Sequence, residues 1–152
     1  MYEGFYGLQE RPFALLPDPS FLFLSKGHST ALTLLRYSIL NRQGFTVVSG
    51  EVGSGKTTLI NRLLDEMKSG MTVGLINFTT RSFGEMAEWI MMAYGLPYKN
   101  KSKVELYDDF VQFMIREYAA GRPVVLIVDE AQNLGIRGLE EIRMLSNVNA
   151  QK

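Results

Sequence analysis

No segment of the chain restricts its fold as much as Gly50-Glu51-Val52-Gly53-Ser54-Gly55-Lys56-Thr57. Glycines at 50, 53 and 55 let the backbone curl through conformations in which a Cβ would clash. The residues after them read as a helix: Leu59, Ile60, Leu63, Leu64 and Met67 recur at helical spacing from position 56 to about 67. Of the residues before them, Phe45, Thr46, Val47 and Val48 are apolar or β-branched, and the run to Ser49 reads as a buried strand. A strand, a glycine-rich turn and a helix opening on Lys-Thr satisfy G-x-x-x-x-G-K-[ST] in full. Successive N–H groups at a helix N-terminus converge there on an anion. For a nucleoside triphosphate, Lys56 is suited to bridge the β- and γ-phosphate oxygens, and the Thr57 hydroxyl to ligate Mg²⁺.

A second motif complements the first. Val124-Val125-Leu126-Ile127-Val128 is an apolar strand that ends in Asp129-Glu130. At the C-terminal edge of a parallel sheet, Asp129 would face a Mg²⁺ held by Thr57. Glu130, one residue on, can orient and deprotonate a water for in-line attack on the γ-phosphate. A kinase for a small metabolite needs no such second acid, because its acceptor brings the nucleophile. The pair therefore favours hydrolysis. Gln132 and Asn133 follow at once, suited either to sense the γ-phosphate or to cap the turn.

The intervening chain alternates strand and helix. Residues 1–27 carry Pro12, Pro17 and Pro19 among Tyr2, Phe5, Tyr6, Phe13, Phe21 and Phe23, and are expected as an irregular segment packed on the domain formed by residues 28–152. A helix is expected over residues 29–42, with Leu32, Leu35 and Ile39 on one face, and a strand over 72–78. Two helices follow, each opened by a capping box, Ser82-Phe83-Gly84-Glu85 and Ser102-Lys103-Val104-Glu105. The first presents Met86, Trp89, Ile90 and Ala93 and stops at Gly95; the second presents Leu106, Phe110, Phe113 and Met114. A last helix is expected over residues 137–148. Strands apolar on both faces, alternating with helices, predict an α/β fold with a parallel sheet covered by helices.

Composition narrows the classes of function. The 152 residues hold sixteen basic and sixteen acidic side chains, so no net field draws the chain to nucleic acid or an anionic membrane. With no cysteine there is no disulfide, thiol chemistry or Cys-based zinc site. No stretch approaches the ~20 apolar residues of a membrane span, and Met1-Tyr2-Glu3-Gly4 lacks a signal-peptide pattern, so a soluble, cytoplasmic chain is expected. Lys99, Lys101 and Lys103 read as a solvated loop, and Arg137 and Arg143 as surface or subunit-contact residues rather than an arginine finger. His28, the only histidine, suits a helix-capping or nucleotide-edge position better than a catalytic one, and Met91-Met92 reads as core.

Together these residues carry a resemblance. Met1-Tyr2, Phe5-Tyr6-Gly7-Leu8, Pro12-Phe13, Pro17-Asp18-Pro19, Phe21-Leu22, Ser25, His28, Ala31-Leu32 and Gly44-Phe45, followed by Gly50 through Thr58, are similar to the ExeA-type ATPases of the general secretion pathway. Asp129-Glu130-Ala131-Gln132-Asn133-Leu134 and Leu139-Glu140-Glu141-Ile142-Arg143-Met144-Leu145-Ser146-Asn147 continue it.

The resemblance implies a P-loop NTPase of the AAA+ type, a three-layer sandwich with sheet order 5-1-4-3-2. ATP or ADP would contact Gly50, Glu51, Val52, Gly53, Ser54, Gly55, Lys56, Thr57 and Thr58. The metal would sit at Thr57 and Asp129, with Glu130 and Lys56 catalytic. Members energise assembly at the cytoplasmic face of the bacterial inner membrane, as homo-oligomers or with a partner ATPase or membrane protein. The resemblance also implies that the next strand, the sensors, the arginine finger and the lid lie beyond Lys152. The sheet is then expected to be incomplete at its C-terminal end, and turnover by these residues alone to be low. Two other readings share the loop and the acid pair: a DNA-acting AAA+ ATPase of the transposition-helper type, and a switch that binds ATP with little hydrolysis. Neutral charge and the aromatic N-terminal pattern argue against the first, so nucleic acid is not the expected partner.

Overall fold

The computed structural model describes residues 2–9, 23–67, 70–77 and 85–146. Along the chain run α1 (Tyr2–Tyr6), α2 (Lys26–Leu40), α3 (Lys56–Glu66), β1 (Thr72–Asn77), α4 (Met86–Ala93), α5 (Lys103–Ala119), β2 (Val124–Asp129), a short 3₁₀ turn (Ala131–Asn133) and α6 (Gly135–Ser146). The alternation and the parallel pairing are those of an α/β chain, and they hold apolar residues in two clusters.

β1 and β2 pair in parallel, Thr72 against Val124 through to Asn77 against Asp129. This is the pairing that the order 5-1-4-3-2 requires between its second and third strands. Side chains alternate across a strand, so Gly74 and Ile76 share one face with Leu126 and Val128, while Leu75 and Ile127 share the other with Asp129. The first face is covered. Ile76 packs with Met86, Ile90 and Met91 of α4 and with Leu106, Phe110 and Phe113 of α5; Ile142 and Leu145 of α6 close the edge. Tyr94 lies over Gly74 so closely that a Cβ there would come within 2.8 Å of its ring. The second face is barer than its sequence suggests, and Leu75 is 45% exposed. Among the described residues the helical cover expected on both faces is complete on the first, while the second meets α3 where Thr57 bonds to Asp129.

The second cluster joins α2 to α3. Leu32, Leu59 and Leu63 are buried, with Leu35, Ile39 and Met67 against them. Beside them Glu66 accepts from the Arg36 Nε at 3.0 Å and from the Arg62 Nε at 2.9 Å, and the Arg36 bond is the main cause that holds its carboxyl below the usual range. α2 begins three residues before its expected start, because the Ser25 side chain accepts the His28 N–H and caps it.

Several expectations are corrected. Residues 45–49 form no strand; Phe45 is 54% and Val47 87% exposed. A strand exists through the pairing of its backbone groups, and among the described residues β1 and β2 pair only with each other. Tyr2–Tyr6 is helical rather than irregular, and its rings stay at the surface, Phe5 edge-on to Tyr6 at 4.9 Å. Positions 10–22, with their three prolines, lie outside the described residues, as do Phe78, Ser82 and Val148. Glu85 is not the third residue of a capping box but the extended residue before α4. Its carboxylate pairs with Lys103 at 2.9 Å, and the Met86 N–H donates instead to Glu141 of α6 at 3.1 Å. The box at Ser102 and Glu105 forms as expected. Of the two methionines, Met91 is core and Met92 is exposed.

At the N-terminal end of the sheet, the buried Glu117 joins three elements. Arg122 donates to both its oxygens, at 2.8 and 2.7 Å, and the Thr72 hydroxyl donates to Oε2. These bonds, Arg122 first, hold its carboxyl down at about 2. A depressed folded pKa gives stability that is present above the ordinary value of 4.5 and lost as pH falls from there toward about 2. Glu117→Gln should therefore be less stable than the parent in urea near neutral pH. The difference should shrink steadily through that acid window.

Candidate functional site

The loop and the acid pair meet. Gly53 and Gly55 take left-handed φ of 79° and 84°, which explains glycine at both. At Gly50 the reason is space: a Cβ would lie 2.9 Å from the Ser54 Oγ. The coil delivers the chain to α3 with Gly55 as its N-cap, so the first-turn N–H groups of the helix open toward the loop. The Lys56 ammonium donates to the carbonyls of Gly50 at 2.9 Å and Glu51 at 2.7 Å, and so lies across the loop. Val52 stands fully exposed at its tip.

From the sheet side, Asp129 is buried at the end of β2. Its Oδ2 accepts from the Thr57 hydroxyl at 2.9 Å, and its Oδ1 from the Glu130 N–H at 2.9 Å. Glu130 has a left-handed backbone, φ 56° and ψ 38°, uncommon for a residue with a side chain. This conformation ends the strand, and the exposed Glu130 carboxylate accepts from Gln132 Nε2. Gln132 thus holds the acid, and the Asn133 N–H closes the turn on the Glu130 carbonyl at 2.9 Å. Asn77, not singled out in the sequence, ends β1 level with Asp129.

His28 reaches the same loop. Its Nε2 lies 2.7 Å from the Ser54 carbonyl oxygen and its Nδ1 2.8 Å from the Ser25 Oγ. The sequence signalled only the local half of this arrangement, a serine three residues before a lone histidine at a helix start. Lys101 of the expected basic loop is engaged with Asp109, and Lys103, which begins α5, with Glu85. Arg143 is paired with Glu140 at 2.9 Å.

The residues fit a nucleotide with a divalent ion. The loop packs closely at Gly50 and Gly55 and turns through left-handed backbone at Gly53 and Gly55, beside a helix N-terminus and a lysine. A hydroxyl and a carboxylate converge at its end, an oxygen-only donor set suited to Mg²⁺. Among the described residues no group of three or more His, Cys, Asp or Glu could hold a metal by itself. An ion held here would need further ligands from a substrate phosphate and water.

Comparison with known proteins gives a family match. The profile of the family described as "AAA domain" matches residues 39–152. The chain belongs to the AAA domain family. The matched range takes in the glycine loop, the parallel pair of strands and the acids at the strand end. This AAA domain is also similar to General secretion pathway protein A of Aeromonas hydrophila, at 33% identity over 153 residues. The alignment covers 100% of this chain and 28% of that protein, and it bears out the ExeA-type resemblance. No solved structure gave a significant match. Among the described residues of this AAA domain, no helix is long and apolar enough to cross a membrane.

Proposed function

We propose that the chain binds ATP with Mg²⁺ and hydrolyses it to ADP, energising the assembly of secretion or other envelope machinery from the cytoplasmic face of a membrane. The observation that carries the reading is the 2.9 Å bond from Thr57 to Asp129. It joins two motifs far apart in sequence at one point, where a phosphate-bound ion would need both. The similarity to a general secretion pathway protein supports the cellular role. A homo-oligomer, or a partner ATPase or membrane protein, is the expected assembly.

In this reading the N–H groups over residues 50–58 bind the phosphates, and Lys56 leaves the Gly50 and Glu51 carbonyls to bridge their terminal oxygens. Thr57 and Asp129 would hold Mg²⁺, which when bound supplies charge neutralisation at those oxygens. Glu130 takes the proton from the attacking water, and Gln132 keeps its carboxylate oriented. The Asp129 Oδ1 bond to the Glu130 N–H fixes the backbone from which that base projects.

The test is a titration with ATP at varied Mg²⁺, comparing the parent with Asp129→Asn. The parent should bind more tightly as Mg²⁺ rises, and the variant should lose most of that dependence while keeping its metal-free affinity. Identical Mg²⁺ dependence in the two would remove Asp129 from the site.

A further inference from the structure

We propose that His28 is a positioning residue of the phosphate loop. It holds the Ser54 carbonyl outward so that the Gly55 N–H faces the phosphates of a bound nucleotide. The proposal rests on the nucleotide-binding reading above.

A carbonyl oxygen only accepts, so the 2.7 Å contact places the hydrogen on His28 Nε2. In the Nε2–H tautomer Nδ1 is bare and accepts from the Ser25 hydroxyl at 2.8 Å. The same Ser25 oxygen accepts the His28 backbone N–H at 3.3 Å. Ser25 therefore fixes the start of α2 and the tilt of the ring together. α2 in turn is fixed to α3 by the Leu32, Leu59 and Leu63 cluster and by the bonds of Arg36 to Glu66. The ring reaches the loop from an element already locked to the helix that the loop begins.

The peptide between Ser54 and Gly55 is trans, which points its carbonyl and its N–H to opposite sides. A donor on the carbonyl therefore selects one of two orientations for the Gly55 N–H. Glycine at 55, with φ of 84°, has no side-chain preference to make that choice. His28 makes it from outside, and the fit is close: a Cβ on Gly55 would lie 3.3 Å from His28 Nε2. A preset donor saves the cost of ordering the loop when the anion arrives.

The experiment uses this chain and a fluorescent ATP analogue with Mg²⁺. His28→Phe keeps a flat ring and loses the donor. His28→Gln puts an amide N–H at the same reach. The first should weaken affinity by about tenfold, the order of one lost hydrogen bond to a constrained partner. The second should recover most of it, staying within about threefold of the parent, while a merely space-filling role would favour phenylalanine. Because His28 is the only histidine, its ring nitrogens also give an unambiguous ¹⁵N signal. The nucleotide-free spectrum should show the Nε2–H tautomer, and nucleotide should shift the Nε2 resonance in the parent but not in Lys56→Ala. Parent affinity in His28→Phe, no recovery in His28→Gln, or an Nδ1–H tautomer would each overturn the proposal with nucleotide binding intact. If the parent binds no better than Lys56→Ala, the nucleotide-binding reading itself fails and the proposal with it.

Discussion

Lys56→Ala should lower ATP affinity by about a hundredfold, since a charged hydrogen bond to a phosphate is worth ~1.5–3 kcal/mol and tenfold corresponds to ~1.4 kcal/mol. The lysine is the one side-chain cation in the loop, and its ammonium already spans it, bonded to the Gly50 and Glu51 carbonyls. Those two acceptors are backbone groups near solvent, and water can satisfy them when the side chain is gone. Fold stability should therefore change little, because no part of the Leu32, Leu59 and Leu63 cluster depends on the ammonium. Isothermal titration of parent and variant, with melting curves of both, separates the two effects. Equal affinity would mean that the loop is a glycine-rich turn with an ordinary surface lysine.

How far the site could be read from sequence depended on whether its parts are local. The glycine loop is one continuous segment whose residue types follow from φ angles and contacts within it, such as Gly50 against Ser54. Its reading needed nothing from the rest of the chain. The acids at the end of β2 were legible for the same reason, as an apolar strand followed by charge. The joining of the two through Thr57 and Asp129 was inferred from parallel topology, and the structure has it at hydrogen-bond distance. What stayed hidden was tertiary. Nothing in the sequence distinguishes a histidine that caps its own helix from one that also grips a carbonyl 26 residues away. The Glu141 cap on α4 spans 55 residues, and local pattern favoured a serine before it.

The failed strand at residues 45–49 has a different cause. Apolar, β-branched residues favour extended backbone, but a strand also needs neighbours, and no composition supplies them. Val47 and Leu75 are exposed for related reasons: each carries a core-type side chain that the described residues cover only in part. Conversely, α4 and α5 were read with nearly correct faces because they meet the β1–β2 pair within a single cluster. Periodicity reports which face of a helix will be buried, and it reports truly where the burying surface is at hand.

Glu130→Gln should bind ATP about as well as the parent and hydrolyse it ~10²–10⁴-fold more slowly, the usual contribution of a general base. The amide keeps the size of the side chain and can still accept from Gln132, so the local bond that orients the acid is retained. What is lost is only the ability to take a proton. The backbone sharpens the test. Glu130 sits at φ 56°, where a side chain costs ~1–2 kcal/mol relative to glycine. Glycine relieves such strain at positions 53, 55 and 135, whereas Arg42 and Asn100 carry it as Glu130 does, so the strain alone does not mark a catalytic position. Glu130→Gly should therefore leave the melting temperature unchanged or raise it, while turnover falls at least as far as in the glutamine variant. Stability and activity moving in opposite directions at one residue is the signature of strain kept for chemistry. Single-turnover hydrolysis with saturating ATP, beside thermal melts of the three proteins, gives both quantities. A parent-like rate in Glu130→Gln would show that the acid is not the base. A parent-like rate in Glu130→Gly with a higher melting temperature would show that the left-handed turn, not the carboxylate, is what the site requires.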